Sequence, residues 1–290
     1  MTGRLADINA RIDGIRQLGM VMNAMRGIAA ARAQQARGQL AAVERFAASL
    51  TAAIGQALMF LPANDAGNDH SSRRAGLVLF CAEQGFAGAF SERVLNAAGA
   101  DIATHELFLV GTRGIAAARE RGVSASWTDA LPAHSTGIPR LAGEIAEALY
   151  RRIATGGINQ LDAVFSQWQP GSGITIVRQR LFPFDMTAFA RPAGKGAPLL
   201  NLAPDELLRA LMADYVHAQL CSAGLHAFAA ENQARMEAMA AASHQVERHL
   251  ASLESTQRIV RQEEITAEII ELSAATPIEA RFGNDNQGYK

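Results

Sequence analysis

Cysteine and lysine are nearly missing from this chain, and long uncharged runs are rare. Cys81 and Cys221 are the only thiols among 290 residues and lack CxxC spacing. That excludes a disulfide framework and fits a reducing compartment, with both thiols as small core residues. Of 27 basic residues only Lys195 and Lys290 are lysines. Arginine suits planar, bidentate contacts better than lysine, although genomic base composition explains the bias more simply. The formal net charge is −1, which excludes nucleic-acid binding by the charge of the whole chain. The seven histidines show no ligand spacing, and no HExxH or G-x-S-x-G motif occurs. Neither a metal nor a catalytic site is therefore expected. Glu263 and Glu264 are adjacent on a helix, so their side chains diverge and they make poor acid/base partners. Arg4, Asp7, Arg11, Asp13 and Arg16 interrupt the opening stretch, and no secretory leader is expected there. One uncharged stretch of 19 residues, Phe46 to Asn64, has the length of a membrane span. A helix buried under other protein is the better expectation, because a regular seam runs through it.

That seam is the dominant pattern present. Leu5, Ile8, Ile12, Ile15, Leu18, Met22, Met25, Ala29, Ala33, Ala36, Leu40, Val43, Ala47, Leu50 and Ile54 span 49 residues in 14 steps, a mean spacing of 3.5. This period keeps one stripe of a helix against a partner helix, with a left-handed supercoil. Gly14, Gly19, Gly27, Gly38 and Gly55 each cost the helix roughly 1 kcal/mol against alanine, so it needs packing to stand. A second long helix is expected from Pro204, with Asp205 and Glu206 in its first turn, to a stop at Thr276-Pro277. Its apolar positions run through Leu208, Leu211, Tyr215, Leu220, Phe228, Met236, Met239, Val246, Leu250, Leu253, Val260, Ile265, Ile269 and Leu272. A break near Gly224 is one expectation. Residues 1–58 sum to +4 and residues 204–290 to −6, which favours pairing of the two ends.

Between them, Pro62 to Asp69 reads as a loop and Arg191–Ala203 as a linker. Strands are expected at Gly76–Cys81, Glu106–Val110 and Val123–Trp127. Helices are expected near Phe90–Ala98, Arg113–Arg121 and Ile138–Ala154. Asp162–Trp168 and Ile174–Phe182 read as a hairpin joined at Gln169-Pro170-Gly171-Ser172-Gly173. Early alternation argues for parallel βαβ units with an antiparallel edge added. The domains are thus 1–61, an N-terminal coiled-coil helix; 62–203, a central α/β domain; and 204–290, a C-terminal coiled-coil helix and tail.

Gly85-Phe86-Ala87-Gly88 follows a strand and precedes a helix, where phosphate could be cradled. It lacks the third glycine of the dinucleotide fingerprint and the Lys-Ser/Thr of a P-loop, so a tight turn or contact loop is the default. In Glu231-Asn232-Gln233-Ala234-Arg235-Met236-Glu237-Ala238-Met239, core packing accounts for the methionines, with Arg235 toward the other side.

These segments together resemble the gamma subunit, the central rotor shaft, of F-type rotary ATP synthases. Asn23-Ala24-Met25-Arg26 followed by Ile28-Ala29-Ala30-Ala31-Arg32 is similar to that family's N-terminal helix. Glu83-Gln84-Gly85-Phe86-Ala87-Gly88-Ala89-Phe90 stands where the family has a glycine-containing loop. Glu231 to Met239 and then Arg261-Gln262-Glu263-Glu264-Ile265-Thr266-Ala267-Glu268-Ile269 are similar to its C-terminal helix. Gln34 and Gln35 depart from the usual basic residues, Glu83-Gln84 from the usual Asp-Arg, and Ala275-Thr276-Pro277 ends the helix early.

The resemblance implies a fold of α/β class with long helices. In it an antiparallel left-handed coiled coil of both ends carries a central Rossmann-like domain with a mostly parallel sheet. It implies partners: the alpha and beta subunits of a catalytic hexamer, the epsilon subunit and the membrane c-ring. Catalysis then lies in other chains, with no cofactor and no direct small-molecule substrate here. The implied location is peripheral, on the cytoplasmic face of the bacterial inner membrane. By matching positions, partner contacts are expected at Met25, Arg26, Arg32, Gly85, Gly88, Arg258, Arg261, Gln262, Thr266 and Glu268. The rival expectation is a freestanding α/β nucleotide-binding protein or enzyme with a helical dimerisation stalk.

Overall fold

The 3.5-residue seam produces one unbroken helix, α1, over Thr2–Ala57, closed by a single 3-10 turn at Leu58–Phe60. The computed structural model describes residues 2–60, 75–184, 186, 189 and 199–275. The expected loop at Pro62 to Asp69, residues 191–198 of the expected Arg191–Ala203 linker and the stop at Thr276-Pro277 lie outside them. After α1 come β1 (Ala75–Phe80), α2 (Phe90–Ala98), the short α3 (Asp101–Thr104), β2 (Glu106–Val110), α4 (Thr112–Glu120) and β3 (Trp127–Asp129). Then follow α5 (Ile138–Ala154), β4 (Gln160–Gln169), β5 (Gly173–Phe182) and α6 (Pro204–Ala275). By contacts the chain falls into two units, residues 1–24 with 240–290, and residues 25–239. Both long helices contribute to both.

In the first unit the ends of α1 and α6 run antiparallel. Asn9 accepts from Gln257 at 2.5 Å, Arg16 pairs with Glu254 at 2.9 Å, and Asn23 accepts from Ser243 at 3.5 Å. Partner numbers fall on one helix as they rise on the other. Ile8, Ile12 and Val260 form the buried seam, flanked by Leu5, Leu250 and Leu253. The opposite charges of the two ends meet at the surface, as in Arg4–Glu263 at 3.5 Å.

Two seam expectations are corrected here. Leu18 is 46% exposed, and Gly19 takes its place. A Cβ at Gly19 would stand 3.3 Å from Val246 Cγ1, so the backbone itself meets the facing side chain. Ile265, Ile269 and Leu272 are more than half exposed. With Arg4 opposite Glu263, only Thr2 and Gly3 of the described α1 lie beyond that level.

In the second unit one five-stranded sheet has the order β3-β2-β1-β4-β5. All neighbours are parallel except β4 and β5. The hairpin turns at Gly171 and Gly173, both at positive φ, where a side chain would be strained. Val78, Phe80, Phe108, Val110, Ala163 and Phe165 pack against α5 and α6, with Ala36 of α1 in the same cluster. Leu77, Leu79, Leu107, Leu109 and Val164 face α2 and α4. A parallel sheet covered on both faces reads as continuous apolar runs, which is why β1 and β2 are so plain in the sequence. The third strand begins at Trp127 rather than Val123, because pairing with Phe108 to Val110 sets its place. Asp162 is buried on β4 and is paired by Arg178 at 2.7 Å and by Arg180, both from the edge strand. The same Arg178 holds the Asp101 carboxyl below its usual range through a direct hydrogen bond.

No break occurs near Gly224. The helix continues, and its missing side chain admits α5: a Cβ there would stand 2.9 Å from Ile138 Cγ2. Both thiols are buried as expected. Burial pushes Cys81 up to about 12 and Cys221 to about 11. Among the described residues, no helix is long and apolar enough to cross a membrane.

Candidate functional site

The loop after β1 and the middle of α6, both in the second unit, build one polar junction inside an otherwise apolar core. Glu231 and Arg235 are 2% and 4% exposed and pair at 2.5 Å. Their i,i+4 spacing puts them on one helix face. Glu231 accepts from the backbone N–H of Glu83 at 3.2 Å and of Gln84 at 3.1 Å. Arg235 donates from Nε to the Gly85 carbonyl at 3.1 Å and from Nη2 to the Gln84 carbonyl at 3.3 Å. Its Nη1 donates to Asn232 Oδ1 at 3.1 Å, and Asn232 in turn donates to the Phe228 carbonyl. A buried ion pair is tolerated only when its remaining hydrogen-bonding capacity is filled, and here the loop backbone fills it.

The Glu83 side chain ties the same start of the loop to α4 and to Leu131. It accepts from Thr112 N at 2.9 Å, Thr112 Oγ1 at 2.7 Å and Leu131 N at 3.0 Å. The carboxylate sits at the N-terminus of α4, where the helix dipole favours negative charge. Two glycines make the close approach possible. A Cβ at Gly111 would lie 2.5 Å from the Cys81 carbonyl, and one at Gly114 would lie 2.1 Å from Cys81 Cβ.

Several residues singled out in the sequence meet here. Arg32 borders, with Glu83, Gln84, Glu231 and Arg235, a cavity of about 10 Å³. Gly85 gives its carbonyl to Arg235, and its Cα faces Arg113 Nη2. Gly88 is exposed with φ +60°, next to Phe86 at φ +62°. Met25 is half-buried and Arg26 exposed. Arg258, Arg261, Gln262, Thr266 and Glu268 belong to the first unit and are all exposed; Thr266 donates to the Gln262 carbonyl at 2.8 Å.

Beside the loop lies a second cavity of about 280 Å³, bordered by Gln84 to Gly88, Ser91, Glu92, Arg113 and Glu120. Two carboxylates against one guanidinium make it a poor phosphate cradle. Among the described residues, no group of three or more His, Cys, Asp or Glu is placed to hold a metal ion.

Sequence reasoning missed the roles of Glu83, Glu231 and Arg235. The available signal was a Glu–Arg pair one turn apart within a helix stretch of alanine, phenylalanine and methionine. Also missed was Arg37. It donates to Gln233 Oε1 at 2.7 Å and lies 3.9 Å over the Trp168 ring.

A family model described as ATP synthase matches residues 4–276. The chain is 29% identical to the ATP synthase gamma chain of Streptomyces griseus subsp. griseus, over 98% of this chain and 100% of that relative. It is 27% identical to the ATP synthase gamma chain of Clavibacter michiganensis subsp. michiganensis, over 94% and 96%. The fold is similar to a chain of the Euglena gracilis mitochondrial ATP synthase in its OSCP/F1/c-ring assembly. The TM-score is 0.65 at 13% identity, covering 100% of both chains. It is similar also to a chain from the central stalk and c-ring of the Tetrahymena thermophila enzyme. There the TM-score is 0.55 at 14% identity, covering 77% of this chain and 99% of that one.

Proposed function

This chain belongs to the ATP synthase gamma-chain family, and on that premise we propose that it is the noncatalytic rotor of the central stalk. It couples ion-driven rotation to ATP synthesis or hydrolysis performed by the alpha and beta subunits. The observation that carries this reading is the antiparallel pairing of the two terminal helices, with exposed side chains beyond the pairing. Ile265, Ile269 and Leu272, three and four residues apart on one face, are 51–70% exposed on the last turns of α6. A solvent-facing apolar stripe of this kind needs a cover, and a surrounding ring of subunits supplies one. Arg258, Arg261, Gln262, Thr266 and Glu268 stand among these residues and offer polar catches at chosen angles. Arg26 does the same on α1, with Met25 beside it as an apolar contact, and the exposed Gly88 loop adds a contact on the sheet domain. Rotation acts by conformational coupling, each orientation biasing a neighbour's open or closed state.

The remaining partners are the epsilon subunit and the membrane c-ring, with the complex on the cytoplasmic face of the bacterial inner membrane. Glu83 and Glu231 are occupied by backbone amides, which suits a chain that does no chemistry itself. The test is purification of the native assembly with subunit counting. One copy for three beta-type chains is the expected result. Recovery of the chain alone, with measurable ATP affinity, would support the rival nucleotide-binding reading instead.

A further inference from the structure

The second unit holds an apolar cavity that the rotor reading does not use. It measures about 280 Å³ and lies between α5, the open end of the β4–β5 hairpin and the early turns of α6. Its walls are aliphatic and aromatic, with Ile153 from α5, Leu181 from β5, Phe184 after it and Met212 from α6. Phe184 is met edge-on by Phe182 at 5.8 Å and by Tyr215 at 6.1 Å, so that wall is set before any ligand arrives. All the lining residues belong to this one unit.

Of the lining residues only Tyr150 and Arg209 are exposed, and they mark the mouth. Nε of Arg209 donates to the Asp205 carbonyl at 3.2 Å. Among the described residues no carboxylate pairs with its Nη groups, which leaves them for a ligand. Burial and then Asp214 push the Tyr150 pKa up, so the phenol keeps its proton and remains a donor. The site is thus greasy inside, with a guanidinium and a hydroxyl at its opening. A nucleotide or a sugar fits it badly, because the polar groups of either would be buried without partners. An apolar cavity of about 150 Å³ holds benzene, so this one takes roughly ten to twelve carbon-sized atoms. That is room for one short tail and not for two.

We propose that this cavity binds a free single-chain aliphatic carboxylate of about eight to ten carbons, with the tail inside and the carboxylate at the mouth against Arg209. The ligand ties α5, the hairpin and α6 together and is independent of ATP chemistry in any other chain. The inference stands whether or not the rotor reading does.

The test is calorimetric titration of the full chain near neutral pH, with each ligand kept below its micelle concentration. The probes are hexanoate, octanoate, decanoate, tetradecanoate, octanol and octylamine. Each methylene that enters the cavity tightens binding about fourfold, so octanoate binds about fifteenfold tighter than hexanoate. The gain stops once the cavity is full, and tetradecanoate binds no tighter than decanoate. Arg209→Gln weakens octanoate about two- to fivefold, as loss of an exposed ion pair should, and leaves octanol unchanged. Ala213→Leu fills the cavity from α6 and weakens octanoate at least about tenfold. No binding of octanoate at about 1 mM, or affinity that keeps rising with length beyond decanoate, would overturn the site, the latter being the mark of adsorption to the surface. Unchanged octanoate affinity in Ala213→Leu would do the same. Octylamine binding as tightly as octanoate would overturn the choice of an anion. If Ala213→Leu does not fold, the length limit in the unaltered chain decides the matter alone.

Discussion

Glu231 and Arg235 grip one loop from two chemical sides: the carboxylate takes its N–H groups and the guanidinium takes its carbonyls. The loop backbone at Glu83 to Gly85 is thereby fixed to α6 with neither charge left facing solvent.

Glu231→Gln leaves the Arg235 charge buried without its partner. Removing one member of a buried pair costs about 3–5 kcal/mol. A drop of that order is expected in the urea unfolding free energy of the unit holding the site. Adding Arg235→Met removes the orphaned charge and recovers part of the loss. Equal stability of Glu231→Gln and the parent would show that the pair contributes nothing.

Gly114→Ala and Gly88→Ala separate two reasons for a glycine. At Gly114 an added Cβ would stand 2.1 Å from Cys81 Cβ, so strand and helix must part. The expected cost is about 3 kcal/mol, at the upper end for overpacking. At Gly88 nothing lies within 4 Å, and only φ +60° resists a side chain. That costs about 1–2 kcal/mol. Thermal unfolding of both variants checks the order, and the reverse order contradicts the packing account.

His226 provides a pH dependence with a definite sign. Burial lowers its pKa from the ordinary 6.5, against the opposing pull of Glu44. The unfolded chain then takes up a proton at a higher pH than the folded one. Stability is full above 6.5 and declines as pH falls from there toward the lowered folded value, below which it levels off. Denaturant midpoints between about pH 8 and about pH 5 should show this decline, and His226→Leu should flatten it.

Arg261→Ala together with Gln262→Ala should lower coupled ATP turnover without changing the melting of the chain. Both side chains are exposed and make no seam contact, so folding does not depend on them. Assays of turnover and ion pumping in the assembled complex decide it. Unchanged rates in both would remove these residues from the coupling surface.

What was legible in the sequence follows the range of each interaction. Helix α1, strand β2 and helices α2 and α5 were readable because their apolar period is local. Leu18 misled because the seam was counted on side chains, whereas Gly19 against Val246 is a contact made by having no side chain. Gly224 misled for the same reason, since its neighbour Ile138 lies on another element. The Glu231–Arg235 grip joins positions about 150 residues apart, and no window of sequence contains both halves. Arg37 was invisible because its partners, Trp168 and Gln233, come from a strand and from the far helix.

Ala29, Ala33 and Ala36 are each 1% exposed, so along this stretch of α1 methyl groups set the separation from what they face. A larger side chain there has nowhere to go unless a neighbour across the packing, for Ala36 one in its apolar cluster, gives up volume. Inherited changes at these places are therefore bound to arrive as matched exchanges, one side shrinking as the other grows.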